Sequence, residues 1–227
     1  MYVFITGASS GIGRALAQRY ASRGATLGLV ARRGEVLREF AAGLPGTHHC
    51  YALDVRDRAA LREAALAFLA VAHGKVDVVV ANAGISRGTL TEKPEDFAAF
   101  EELFDTNVLA MVATFEPFVG AMQAARHGTL VGIASVAGIR GLPGAAGYCA
   151  SKAAVIAYCE SLRNELAEAG VRVVTIAPGY VRTPLTADNP YGMPFLMDAH
   201  RFAAKALDAI ARGRRYTVIP WQMAIVA

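Results

Sequence analysis

Seven short, nearly continuous apolar runs punctuate this chain, at residues 2–6, 26–31, 49–55, 76–83, 129–135, 171–178 and 216–220. The fourth contains Val76-Asp77-Val78-Val79-Val80. A strand with one face in water alternates apolar and polar residues. A run without that alternation suits a strand covered on both faces, as in a parallel sheet. Between the runs lie stretches of helical pattern, among them 12–23, 58–72 and 153–169. In the last of these Val155, Cys159, Leu162 and Leu166 recur at helical spacing, and Gly170 supplies a stop. The alternation predicts a single-domain α/β fold: an open, doubly wound parallel sheet of about seven strands with helices on both faces. The 227 residues suffice for one such domain, and no Pro/Ser-rich linker or internal repeat divides them. In this architecture ligands bind outside the carboxyl ends of the strands.

The first run leads into Thr6-Gly7-Ala8-Ser9-Ser10-Gly11-Ile12-Gly13 and then a helix. Glycines there let the backbone approach a pyrophosphate, and the helix start offers unpaired N–H groups and a positive dipole end. Gly7, Ser9, Ser10, Gly11, Ile12 and Gly13 are therefore candidate phosphate-binding residues. A plain structural turn is the alternative. The same residues spell G-x-S-x-G, the hydrolase nucleophile elbow. That elbow takes an oxyanion N–H from a loop earlier in the chain. Only eight residues precede Ser9, so the loop cannot exist in the usual order. An NAD site places an acidic residue about 20 positions on. Here the second run ends in Ala31-Arg32-Arg33 instead. Two guanidinium groups suit a 2′-phosphate, so Arg32 and Arg33 point to NADP(H), with NAD(H) as second choice. A basic helix start on the surface is the other reading.

Composition narrows the classes. Hydrophobic residues at 54% against 19% charged exclude a disordered chain. The net charge of +4 comes without a basic tract beyond Arg212 to Arg215, so no nucleic-acid partner is expected. Cys50, Cys149 and Cys159 lack C-x-x-C spacing and read as reduced thiols of a cytoplasmic protein. The five histidines are scattered, and no metal site is expected. No targeting segment is visible at the N-terminus. The nearest approach to a bilayer-spanning stretch, 107–125, is interrupted by Glu116 and Pro117, so membrane association is not expected.

Thirteen residues after Ser135 comes Tyr148-Cys149-Ala150-Ser151-Lys152. Tyr148 and Lys152, four apart on a predicted helix, share a face. A tyrosine with a pKa of about 10 is a poor base at neutral pH, and a neighbouring ammonium, helped by a cationic nicotinamide, favours the phenolate. In the reverse direction the phenol donates a proton to a carbonyl that accepts hydride. Y-x-x-x-K alone is common on helices. Its weight here comes from following Ser135 in a fold with a dinucleotide cradle.

Over nearly its whole length the chain resembles the short-chain dehydrogenase/reductase family. The marks are TGASSGIG at 6–13, Asp54-Val55, Asn82-Ala83-Gly84, Asn107, Ser135, Tyr148, Lys152 and Pro178-Gly179, in that order. The resemblance implies a Rossmann fold and NADP(H)-dependent hydride transfer to or from a carbonyl or secondary alcohol. It makes Tyr148 the general acid/base, with Lys152 lowering its pKa and binding the nicotinamide ribose. Ser135 holds the substrate oxygen, and Asn107 anchors a water linking Lys152 to solvent. Asp54 accepts from the adenine amino group beside the Val55 backbone. Asn82, Ala83 and Gly84 line the adenosine ribose. Pro178, Gly179, Val181 and Thr183 complete the nicotinamide side. For Asp54 and Asn82, strand-end capping is the alternative. Ala81 stands where the family often has a second Asn. Family members usually continue past the last strand, whereas this sequence stops at Ala227 within the apolar stretch 221–226, so either it is cut short or the tail is missing.

Two segments are expected to frame the substrate, 137–143 and a lid loop over 183–198 that includes Met193, Phe195, Leu196 and Met197. They suggest a small, apolar carbonyl compound or alcohol. Arg140 would be solvated or grip an anionic group. The middle helices, 104–125 and 148–169, carry apolar residues on more than one face, which suits burial against both the sheet and another subunit. The resemblance implies a homodimer or homotetramer through these helices. A non-catalytic NAD(P)-binding sensor or scaffold is the rival from another class, and the intact Ser135, Tyr148 and Lys152 set argues against it. A peripheral membrane enzyme using the Arg-rich turn and Trp221 is a third reading.

Overall fold

Neighbouring residues of a strand point to opposite faces of its sheet, and here both faces are covered. In β1 (Tyr2–Thr6), Val3 and Ile5 enter one core cluster and Phe4 the other. The same division holds in β4 (Val78–Ala81), where Val78 and Val80 face one way and Val79 the other. This is the physical reason for the unbroken apolar runs. The remaining strands of the sheet are β2 (Thr26–Ala31), β3 (His48–Ala52), β5 (Thr129–Ile133), β6 (Arg172–Pro178) and, at the far edge, Tyr216–Ile219. All pair in parallel, in the order β3-β2-β1-β4-β5-β6 and then the edge strand. The protein is seen here as a computed structural model describing residues 1–187, 189 and 191–226.

One face is covered by α1 (Gly11–Ala21), α2 (Gly34–Ala42) and a late helix, Ala199–Ala211, which packs along α1. The other is covered by α3 (Arg58–Val71), a long composite helix and α6 (Ala146–Leu166). The composite helix consists of α4 (Phe97–Phe104), a π-helical turn at Asp105–Leu109 and α5 (Ala110–Ala125). By length and composition the run Pro94–Ala125 could cross a bilayer. In the fold, α5 buries Met111, Phe115, Phe118 and Met122 in the core cluster it shares with α3 and α6.

Four expected strands run past their ladders. Expected at 49–55, 76–83, 129–135 and 216–220, they end at Ala52, Ala81, Ile133 and Ile219. For the first three the reason is shared. Leu53, Asp54 and Val55, then Asn82 and Ala83, then Ala134 and Ser135 leave the sheet to line one cleft. A second, two-stranded parallel ladder joins β7 (Val181–Arg182) to β8 (Met197–Asp198). It was not visible as apolar periodicity, because each strand has two residues. The chain closes with α7 (Ala199–Ala211), β9 (Tyr216–Ile219) and α8 (Met223–Val226).

The strand order reverses between β1 and β4. Crossovers on the two sides of that point go to opposite faces, which leaves a crevice at the strand ends.

Candidate active site

The crevice is a cleft of about 400 Å3 over the carboxyl ends of the central strands. Gly7, Ser9, Ser10, Gly11 and Ile12 form its floor between β1 and α1. Ser10 is the N-cap of α1 but makes no side-chain cap bond, and the first turn holds no acidic residue. The N–H groups of that turn and the positive helix end are therefore free to meet an anion. By contrast α3 is closed by Asp57, whose carboxylate accepts from Ala60 N at 3.0 Å.

The glycines do structural work as well. Gly7 has φ +68°, and a Cβ there would lie 2.8 Å from Asn82 Nδ2. A Cβ on Gly13 would overlap the Gly7 carbonyl oxygen and lie 2.6 Å from Asn82 Nδ2. Gly13 is absent from the cleft wall. It lets α1 press against the turn from below, so its role is packing rather than ligand contact. Asn82 donates to Thr6 O at 2.9 Å and to Gly7 O at 3.3 Å. Thr6, buried, accepts from Asn82 N and Ala83 N at 3.1 Å each. The strand-end capping foreseen for Asn82 is thus present. Thr6 was missed as a site residue, although it begins the glycine-rich motif.

The second and third strands supply charge. Arg32 and Arg33 both line the cleft, and Arg33 Nη2 donates to Ser9 Oγ at 3.2 Å. Among the described residues neither has a carboxylate within 4.0 Å. Asp54 is clamped by Arg56, with contacts of 2.7 to 3.2 Å to both carboxylate oxygens. The Arg56 hydrogen bonds hold the Asp54 carboxyl below its usual range. Val55, Ala83 and Gly84 lie on the same wall. Two guanidinium groups, an open helix end and a glycine-lined floor fit a dinucleotide.

The other half of the cleft gathers Ser135, Tyr148, Lys152, Pro178, Gly179, Val181 and Thr183. Tyr148 sits in the first turn of α6, half-buried. Burial pushes its phenol pKa up, and the Ser135 hydroxyl pulls against that shift. Lys152 is buried one turn later, with its nitrogen 5.9 Å from the centre of the Tyr148 ring. Its ammonium donates to Ile133 O at 3.0 Å, and burial lowers its pKa to about 8. The protein by itself therefore holds the phenol above its ordinary pKa. Desolvation of the ring is the largest effect on the phenol, and the Ser135 hydroxyl opposes it.

Asn107 does not line the cleft. It is fully buried within the π-helical turn, where its Oδ1 accepts from Ile85 N at 2.9 Å. Its Nδ2 donates to Ile85 O at 3.1 Å and Ser151 Oγ at 2.9 Å. Cys149 turns its sulfur to Leu142 N at 3.4 Å, so it is no thiol nucleophile facing the cleft. The expected substrate frame is only partly in place. Thr183 to Thr186 line the cleft, whereas Met193, Phe195, Leu196 and Met197 do not. Met197 packs into the core through the β7–β8 ladder, which carries the second part of the loop away from the opening. Asp188 and Pro190, inside the expected lid, lie outside the described residues. None of residues 137–143 lines the cleft either.

Known proteins share these features. The family profile described as short chain dehydrogenase matches residues 1–192. An uncharacterized oxidoreductase of Myxococcus xanthus is 41% identical over 97% of this chain and 88% of its own length. The 3-oxoacyl-acyl-carrier-protein reductase FabG of Thermotoga maritima is 38% identical over 82% of this chain and 76% of its own. Among solved structures, a short-chain dehydrogenase from Sphingobium yanoikuyae in complex with NADPH superposes with a TM-score of 0.86 at 27% identity. That match covers 96% of this chain and 87% of the other. A bulky-bulky ketone specific alcohol dehydrogenase from Comamonas testosteroni gives 0.84 at 26% identity, over 96% and 86%. With its parallel sheet, glycine-rich cradle and Ser-Tyr-Lys cluster, the chain belongs to the short-chain dehydrogenase family.

Proposed function

We propose that the protein is an NADP(H)-dependent oxidoreductase that interconverts a carbonyl group and a secondary alcohol on a small, apolar substrate. The observation that carries the reading is the convergence of Ser135, Tyr148 and Lys152 on the cleft whose floor is the open N-terminus of α1. When bound, the nicotinamide supplies or takes up the hydride. Every other task falls to the chain. Gly7 to Ile12 bind the pyrophosphate, and Arg32 and Arg33 bind the 2′-phosphate. Asp54 and Val55 meet the adenine, Asn82 to Gly84 the ribose. Pro178, Gly179, Val181 and Thr183 seat the nicotinamide side.

In the direction of reduction the Ser135 hydroxyl holds the substrate oxygen and the Tyr148 phenol gives it a proton. A phenol kept above its ordinary pKa is fully protonated at neutral pH and ready for that task. In the reverse direction Tyr148 accepts the proton, and the Lys152 cation stabilises the charge that results. The names of two similar proteins, a 3-oxoacyl-acyl-carrier-protein reductase and a bulky-bulky ketone specific alcohol dehydrogenase, support a carbonyl substrate. Assembly as a homodimer or homotetramer is supported by Phe97 and Leu109, exposed on the outer face of the composite helix. Three free cysteines support a cytoplasmic setting.

Replacing Tyr148 with Phe tests the proposal. Turnover of a panel of ketones and aldehydes, followed by NADPH absorbance, should fall about 10²- to 10⁴-fold. NADPH affinity, measured by fluorescence titration, should stay close to that of the parent. A Tyr148→Phe variant with undiminished turnover overturns the mechanism.

A further inference from the structure

α6 begins without a cap of its own. Ala145, its N-cap residue, carries no acceptor. Its backbone, at φ −133° and ψ 27°, is also outside the extended region from which a cap side chain reaches the first turn. Yet the buried amide of Gly147 has a partner. Thr89 Oγ1 accepts from Gly147 N at 3.0 Å, from 58 positions earlier in the chain. Thr89 is 2% exposed, and its own N–H donates to Gly144 O at 2.9 Å. One residue thus grips both sides of the helix start.

Gly147 has little room to move. A Cβ there would lie 2.9 Å from Leu103 and 3.2 Å from Phe100, so its backbone lies against α4. The next residue is Tyr148. One turn on, Ser151 Oγ donates to Tyr148 O at 2.8 Å and accepts from Asn107 Nδ2 at 2.9 Å. The loop that carries Thr89 is itself held at both ends. Asn107 binds Ile85, and Asp96 accepts from Leu90 N at 2.7 Å.

We infer that Thr89 is a positioning residue for the reaction: its hydroxyl closes the N-terminus of α6 from a distant part of the chain and so fixes the direction in which Tyr148 enters the cleft. The inference rests on the proposed role of Tyr148 as the proton donor. Without the hydroxyl, the Gly147 amide in the first turn of α6 loses its acceptor, and the turn frays. The aromatic ring then samples directions other than the one facing Ser135.

Amide hydrogen exchange on the whole chain reads the cap without any substrate. In Thr89→Val, exchange at Gly147 and Tyr148 should speed roughly five- to tenfold, the equivalent of one lost N-cap. Exchange between Val155 and Leu166 should be unchanged, and Thr89→Ser should match the parent. In the turnover assay, with the ketone of the panel that is reduced fastest, Thr89→Val should lower kcat about tenfold, with NADPH affinity and ketone KM within about twofold, and Thr89→Ser should restore it. Gly147 exchange at the parental rate in Thr89→Val overturns the inference. So does a uniform acceleration across α6 and the sheet, which would mark general loss of stability. If Thr89→Val does not fold, Thr89→Cys, a weak acceptor of similar size to Ser, takes its place. Faster Gly147 exchange in Cys than in Ser supports the cap, and equal rates overturn it. Tyr148→Phe in the same assay separates the two readings. Full turnover there removes the proposed mechanism. Loss of turnover there, with full kcat in Thr89→Val, removes this inference alone.

Discussion

The two halves of the cleft are built differently. On the nucleotide side, wall residues are held by other parts of the protein: Gly7 by Asn82, Arg33 by Ser9, and Asp54 by Arg56. On the substrate side the fixed elements are Ser135, Tyr148 and Lys152, and the wall beyond them is thin. Ile139, Leu142, Leu185 and Phe195 are exposed apolar side chains, and of these only Leu185 lines the cleft. A wall fixed by hydrogen bonds thus adjoins, at Leu185, apolar surface that is exposed. Hydrogen bonds at set distances specify the first, and apolar surface without directional partners leaves the second adaptable.

Breaking the rigid half should have the largest effect. Gly13→Ala forces a methyl group into the Gly7 carbonyl and Asn82, with no flexible neighbour to yield. It should cost about 2 kcal/mol or more in stability and abolish NADPH binding at micromolar concentration, read by thermal unfolding and fluorescence titration. Unchanged affinity would mean that the cradle is softer than its contacts indicate.

Next comes the buried cation at the boundary. The Lys152 pKa falls from 10.5 to about 8 on burial. Between those values the unfolded chain holds a proton that the folded chain has released, so stability rises with pH across that window. Below it, both states are protonated and the folded protein bears the full cost of a buried ammonium. Lys152→Met should therefore raise the stability at pH 7, read as a higher melting temperature, by on the order of 3 kcal/mol less the cost of the unpaired Ile133 carbonyl. At pH 10 the gain should be smaller, while turnover is lost at both.

Removing Arg32 and Arg33 together sharpens the account of the nucleotide side. NADPH affinity should fall roughly 10- to 100-fold, and NADH affinity should change by less than about twofold. No loss for either would assign the pair to the surface, and an equal loss for both would assign it to a part that the two dinucleotides share. The smallest effects belong to the adaptable half. Leu185→Ala should shift stability by no more than about 0.5 kcal/mol. Its mark should be a changed KM ranking among bulky and small ketones.

This contrast also explains what could be seen in the sequence. The sheet, its parallel sense and most of the cleft wall follow from unbroken apolar runs and from motifs that sit where runs end, such as Asn82 to Gly84. These signals are local. The ladder between Val181 and Met197, the bond of Arg33 to Ser9 and the grip of Thr89 on Gly147 join residues through space. No periodicity marks them. The expected lid over 183–198 is divided for a related reason: Thr183 to Thr186 line the cleft and Met197 does not. Apolar residues at 193–197 announce burial but not its direction, and Met197 is buried in the core rather than over the ligand. Ser151 and Thr6 were legible as letters of motifs, but their hydroxyl partners were not.

The π-helical turn at Asp105–Leu109 places one residue more in a turn than an α-helix does. Deleting a single residue there would allow the composite helix to become regular and would swing Asn107 by about 100° away from Ile85 and Ser151. A shorter chain would then be a better helix and a worse enzyme. Point changes on the solvent face of this element should be tolerated in descendants of the protein, and changes in its length should be purged.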